Sequence, residues 1–168
     1  MLTHVLHFYS AELAATRYQS AATAFRAKQS SRESSTDPCE QQVPDCQFKP
    51  YALVVDDASD IAFMLVIILE QAGYDAIMAL SGTEALVLAK REQFDLVISD
   101  IAMPEMDGYS LARALRSLPN YRSVPLIAVT GFAEYDDRDR ALDAGFNTHV
   151  KKPIDPASFI EVLRALRS

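Results

Sequence analysis

Asp56, Asp57, Asp100, Thr130 and Lys152 are the side chains of this sequence whose types and surroundings could do chemistry together. Each follows a short apolar run: Leu53-Val54-Val55 leads into Asp56-Asp57, Leu96-Val97-Ile98-Ser99 into Asp100, Leu126–Val129 into Thr130, and Thr148–Val150 into Lys151-Lys152. If these runs are neighbouring parallel strands, three carboxylates, a hydroxyl and an ammonium meet on one rim. Crowded carboxylates raise one another's pKa and call for a compensating cation. Mg²⁺ suits them, being a hard ion that takes one or two carboxylates, keeps several waters and shares a substrate phosphate. An Asp beside such an ion is a nucleophile toward phosphorus, giving an aspartyl phosphate. Lys152 and Thr130 can then meet the charge that develops on the equatorial oxygens. Singly, each residue has a plainer role as helix N-cap, turn former or solvated loop lysine. Their joint placement at the same end of successive strands is what carries weight.

The elements that must position them follow from periodicity. Five runs read as strands, Ala52–Val55, Ala76–Leu80, Leu96–Ser99, Leu126–Val129 and Thr148–Val150, and they alternate with stretches of helical period. This βαβα pattern predicts an α/β fold, a doubly wound five-stranded parallel sheet with five helices. Ile61, Met64, Leu65, Ile68, Leu69 and Ala72 predict the first helix, stopped by Gly73. Ser81 with Glu84 reads as a capping box opening a second through about Arg91. Leu111, Leu115 and Leu118 line a third before Pro119, and Glu134–Ala144 forms a charged fourth closed by Gly145. The fifth starts at Asp155 as N-cap with Pro156 at N1, and Ile154 and Phe159 form a hydrophobic staple. Phe159, Val162, Leu163 and Leu166 are its expected inward face.

Upstream the character changes. Phe8, Ala11, Ala15, Tyr18, Ala22 and Phe25 recur at helical spacing, predicting an amphipathic helix within residues 1–27, either a solvated helix or one that binds a partner or itself. Residues 28–49 are rich in Ser, Gln, Asp and Pro and are expected to be a disordered linker. Cys39 and Cys46 fall in it and read as unpaired thiols rather than a metal or redox pair. Of 168 residues, 16 are Lys or Arg and 23 are Asp or Glu, for a net charge of −7. Residues 1–50 hold five of each sign, so the whole excess belongs to the second part. Such acidity argues against direct nucleic-acid binding, which needs a basic face. With no long apolar span and no secretory leader pattern, no membrane contact is expected and cytoplasm is the default location.

The motifs VVDD at Val54–Asp57, DIAMPEMDG at Asp100–Gly108, AVTG at Ala128–Gly131 and VKKP at Val150–Pro153, in this order and spacing, resemble the receiver domain of bacterial two-component response regulators over residues 50–168. The resemblance implies a flavodoxin-like, CheY-like sheet of order 2-1-3-4-5. It implies that Asp100 accepts a phosphoryl group from a histidine kinase or a histidine phosphotransfer protein. Asp57, Asp100 and the backbone carbonyl of Ala102 would ligate Mg²⁺ directly, with Asp56 acting largely through water. Lys152 would contact the phosphoryl group and Thr130 would move to bond it. That motion would draw in residue 149, which is His149 where Tyr or Phe is more usual. Such a domain is no enzyme in the ordinary sense, since it catalyses only its own phosphorylation and dephosphorylation. Output would pass to a protein partner through the face of the fourth helix, fifth strand and fifth helix, which also leaves room for a homodimer.

Further residues bear on lifetime and on rival functions. The resemblance implies that the side chains two beyond the phosphoacceptor and two beyond the Thr help or hinder the hydrolytic water; here they are Ala102 and Phe132, which cannot orient it by hydrogen bonding, and a long-lived phosphoform is expected. A phosphatase of the haloacid dehalogenase type would carry its acid Asp where Ala102 stands. A degenerate receiver, binding partners without phosphorylation, is disfavoured because every acidic, Thr and Lys position is filled.

Overall fold

β1 (Tyr51–Val55), β3 (Leu96–Asp100) and β4 (Leu126–Thr130) carry apolar side chains on both faces, and all but Tyr51 are buried. Such strands can only be interior strands covered on both sides. In the computed structural model, which describes residues 49–131 and 135–166, they form the centre of a five-stranded parallel sheet of order β2-β1-β3-β4-β5. β2 (Asp75–Ala79) and β5 (Thr148–Lys151) are the edges. Each strand overlaps its predicted run, with ends displaced by a residue or so. The expected helix within residues 1–27, the linker with Cys39 and Cys46, and Phe132 and Glu134 lie outside the described residues.

Side chains alternate along each strand and so divide the core in two. Leu53, Val55, Val97, Leu126 and Ala128 pack under α2 (Gly82–Arg91), α3 (Gly108–Ser117) and α4 (Tyr135–Ala144). Ala52, Val54, Leu96, Ile98, Ile127 and Val129 pack under α1 (Ser59–Gln71) and α5 (Pro156–Ala165). Right-handed crossovers put helices on both faces once the strand order reverses. The reversal falls between β1 and β3.

Local signals mostly hold. Gly73 and Gly145 end their helices at φ 87° and 106°, in the left-handed region that glycine enters without penalty. Asp155 accepts the Ser158 N–H at 2.9 Å, and Ile154 and Phe159 share one core cluster. On α5, Phe159 and Leu163 are buried, while Val162 and Leu166 are only partly so. Two expectations are corrected. Met64 is 37% exposed, and α1 instead buries Ala62, Leu65, Val66, Ile68 and Leu69, because the helix is apolar almost all round and periodicity alone cannot choose its inner face. At α2, Ser81 Oγ accepts the Glu84 N–H at 3.2 Å, but the Glu84 carboxylate accepts from Leu80 N–H at 2.8 Å rather than from Ser81, so the box closes one residue early.

Arg116 secures the pole opposite the strand ends. Its guanidinium donates to the carbonyls of Tyr121 at 2.5 Å, Val124 at 2.7 Å and Gly145 at 2.7 and 2.9 Å, and to Asn147 Oδ1 at 2.8 Å. One planar fork thus ties the ends of α3 and α4 to the entrance of β4. Arg116→Lys, which keeps the charge but loses the fork, is expected to lower unfolding free energy by about 2–4 kcal/mol in urea melts, with the carbonyls left short of donors.

Candidate functional site

The site is built where the strand order reverses. β1 ends at Val55, and the backbone N–H of Asp56 still reaches Ala79 O at 3.2 Å, so this residue is held in line with the sheet. The Asp56 side chain then turns the chain into α1: its Oδ1 accepts the Ala58 N–H at 2.9 Å. Asp56 is 1% exposed, whereas Asp57 is open to solvent. Asp100 is the last residue of β3 and is 5% exposed; Thr130, the last of β4, is buried as well. Lys152 follows β5, and its backbone N–H donates to Thr130 O at 2.8 Å, which sets lysine and threonine side by side.

One ammonium joins the two buried carboxylates. Lys152 Nζ lies 2.8 Å from Asp56 Oδ2 and 3.2 Å from Asp100 Oδ1. Asp56, Asp57 and Asp100 each bring a carboxylate oxygen to within 4.8 Å of the others, the one such group among the described residues. Burial, more than anything else, pushes the Asp100 carboxyl above its ordinary value; the Lys152 charge opposes this and the Asp56 charge adds to it. Burial alone would lower Lys152, but its hydrogen bond to Asp56 and the charges of Asp100 and Asp56 outweigh that and hold it above the ordinary lysine value. Three carboxylates against one ammonium leave negative charge uncompensated. An all-oxygen donor set of this size fits a hard divalent cation such as Mg²⁺.

The residues expected at the rim divide accordingly. Asp56, Asp57 and Asp100 are gathered as a group, with Lys152 bonded to two of them and Thr130 tied to Lys152 through the backbone. Ala102 sits exposed in the loop after β3, where Met103 and Gly108 both donate to Ile101 O, at 3.1 and 3.0 Å. His149 stands apart: it pairs with Ala128, two positions before Thr130, and is exposed beside Leu142, Phe146 and Asn147. Sequence reasoning passed over Ser99 and gave Gly108 no role of its own, yet both press on the Asp100 backbone. A serine set between an apolar run and a strand-end Asp was the available signal.

The lysine bridge has a measurable consequence. Lys152→Met leaves Asp56 and Asp100 facing each other without a counter-charge, which should cost about 1–3 kcal/mol in chelator. Adding Mg²⁺ should then raise the melting temperature more in the variant than in the parent. In the parent this contribution is fully present below the ordinary lysine pKa of 10.5 and is lost as pH rises through the higher folded value.

Comparison with known proteins agrees with the geometry. A family model described as the response regulator receiver domain matches residues 52–164. A 14.6 kDa protein of Leptolyngbya boryana is 43% identical over 112 residues, 67% of this chain and 86% of the relative. The polar-differentiation response regulator DivK of Brucella ovis is 37% identical over 98 residues, 58% of this chain and 80% of its own. Among solved structures, chemotaxis protein CheY4 of Vibrio cholerae aligns with a TM-score of 0.68 at 30% identity, covering 70% of this chain and 98% of that one. The receiver domain of the sensor histidine kinase PA1611 from Pseudomonas aeruginosa, with a magnesium ion coordinated in its active site cleft, aligns at 0.65 and 32% identity, covering 71% and 99%. Matched by the family model over residues 52–164 and aligned in fold with solved receiver proteins, the chain belongs to the response regulator receiver domain family.

Proposed function

We propose that this chain is a phosphoacceptor: Asp100 takes a phosphoryl group from a histidine kinase or a histidine phosphotransfer protein, in a Mg²⁺-dependent reaction, and the modified domain signals through a protein partner. The observation that carries this is the buried Asp100 carboxylate at the end of β3, grouped with Asp56 and Asp57 and bridged to Asp56 by Lys152. An Asp100 oxygen attacks phosphorus, the phosphorus–nitrogen bond of the donor breaks, and the electron pair leaves with the imidazole. Asp57, Asp100 and the Ala102 carbonyl are the groups that would hold Mg²⁺ directly, with Asp56 acting largely through water, and the ion would supply positive charge to the phosphoryl oxygens. Lys152, already 3.2 Å from Asp100, neutralises a further oxygen, and the Thr130 hydroxyl donates to the phosphoryl group. Response to that event would run through Thr130 and His149. Because His149 is exposed and set two register positions below Thr130, this path starts from an open side chain rather than a buried ring.

The phosphatase reading lacks its acid. Ala102 presents a methyl group two residues beyond Asp100, where protonation of a leaving alcohol would require a carboxyl. The degenerate reading conflicts with a complete set of acidic, hydroxyl and ammonium groups at the rim. A test separates the three. Incubation with acetyl phosphate and Mg²⁺ should add one phosphoryl group by mass spectrometry to the parent chain and none to Asp100→Asn. Absence of the adduct in the parent supports the degenerate form, and sustained release of inorganic phosphate supports the phosphatase.

The phosphoform should be long-lived, because neither Ala102 nor Phe132 offers a group that could orient the attacking water. Loss of label from purified phosphoprotein should take minutes or longer, and Phe132→Glu should shorten it. A half-life of seconds, unaltered in Phe132→Glu, overturns this expectation.

A further inference from the structure

Asp100 is the point at which β3 loses one of its neighbours. The β1–β3 pairing ends at Val55 with Ser99, so the next peptide group, between Asp100 and Ile101, has a strand partner on the β4 side only. There its N–H, on Ile101, donates to Val129 O at 3.0 Å. In a trans peptide the carbonyl points the opposite way, toward the side where no strand continues. A buried carbonyl so placed needs a donor.

Ser99 supplies it. Its hydroxyl, on a residue 1% exposed, donates to Asp100 O at 2.8 Å. On the same carbonyl the first turn of α3 closes in. A β-carbon on the buried Gly108 would stand 2.3 Å from Asp100 O, 2.8 Å from Ile101 Cα and 3.1 Å from Asp100 C, all backbone atoms that cannot swing aside. The Gly108 N–H in turn holds Ile101 O at 3.0 Å. One peptide plane is therefore fixed from three directions: by Val129, by Ser99 and by the bare Cα of Gly108. The rotation of that plane is the ψ of Asp100 and determines where the chain goes next, to Ala102.

We propose that Ser99 and Gly108 are positioning residues for the phosphoryl-transfer site, locking the Asp100–Ile101 peptide so that the Asp100 carboxylate and the Ala102 carbonyl face the same cation. Neither touches a reacting atom. The proposal rests on Asp100 being the phosphoacceptor, and it adds that the aim of Asp100 depends on a hydroxyl one residue upstream. It also accounts for a hydroxyl buried directly before the strand-end Asp100, after three apolar residues of the same strand.

The test compares Ser99→Ala, Ser99→Thr and Gly108→Ala with the parent in three measurements: the Mg²⁺ dissociation constant by calorimetry, the initial rate of phosphorylation by acetyl phosphate at saturating Mg²⁺, and the melting temperature. Ser99→Ala should weaken Mg²⁺ binding and slow phosphorylation by about three- to tenfold, the factor one net hydrogen bond supports. Ser99→Thr, which keeps the hydroxyl, should restore most of both. Gly108→Ala should lose more than Ser99→Ala; if it does not fold, the serine pair decides. Parental Mg²⁺ affinity and rate in Ser99→Ala overturn the proposal, as does a loss that Ser99→Thr fails to restore although its melting temperature matches the parent's. A parent chain that neither binds Mg²⁺ nor takes label overturns the phosphoacceptor reading itself, and this inference with it.

Discussion

Two buried carboxylates facing one ammonium set the terms for this molecule. Asp56 and Asp100 are almost wholly withdrawn from water, and the nearest cation to both is the Lys152 side chain. Removing charges from water is costly unless they are paired, and one lysine cannot neutralise two carboxylates with a third, Asp57, beside them. The carboxylates are thus kept close together under strain that a divalent cation, or a proton on Asp100, would relieve. Burial first, and the Asp56 charge after it, displaces the Asp100 carboxyl upward against the opposing Lys152 charge.

The fold tolerates it because the rest of the structure is arranged conventionally around it. The central strands are covered on both faces, and their apolar residues supply two cores without a buried polar side chain until the strand ends. Polar residues gather at the carboxyl ends of the strands, where the order reverses and helices diverge. At the other pole Arg116 collects carbonyls from several connections. Carbonyls are gathered by a guanidinium at that pole, and uncompensated carboxylate charge is gathered at the other.

Much of this could be read from residue order. The strands betray themselves as short β-branched runs and the helices by their caps and terminal glycines, because these are local effects of backbone conformation. The rim residues were legible for the same reason: a strand-end position is a sequence position, and a parallel sheet brings all such positions to one side. What escaped was whatever depends on approach between distant segments. Met64 looked inward by spacing, yet α1 is apolar around most of its surface and its neighbours chose another face. Arg116 carried no expected role, and its part emerges only where the carbonyls of Tyr121, Val124 and Gly145 converge on it. Ser99 drew no notice as the last residue of the run before Asp100.

Residue types and their spacing determined the element order, the α/β class, the family motifs and the identities of the rim groups, since each is written in a few neighbouring residues. Tertiary structure alone decided that Lys152 reaches Asp56 more closely than Asp100, that Asp56 is buried while the adjacent Asp57 is exposed, and that His149 stands clear of the carboxylates. The physical reason is one of range. Backbone preference and hydrophobic period act over a turn or a strand, whereas a charge meeting a charge 96 positions away depends on every element packed between them.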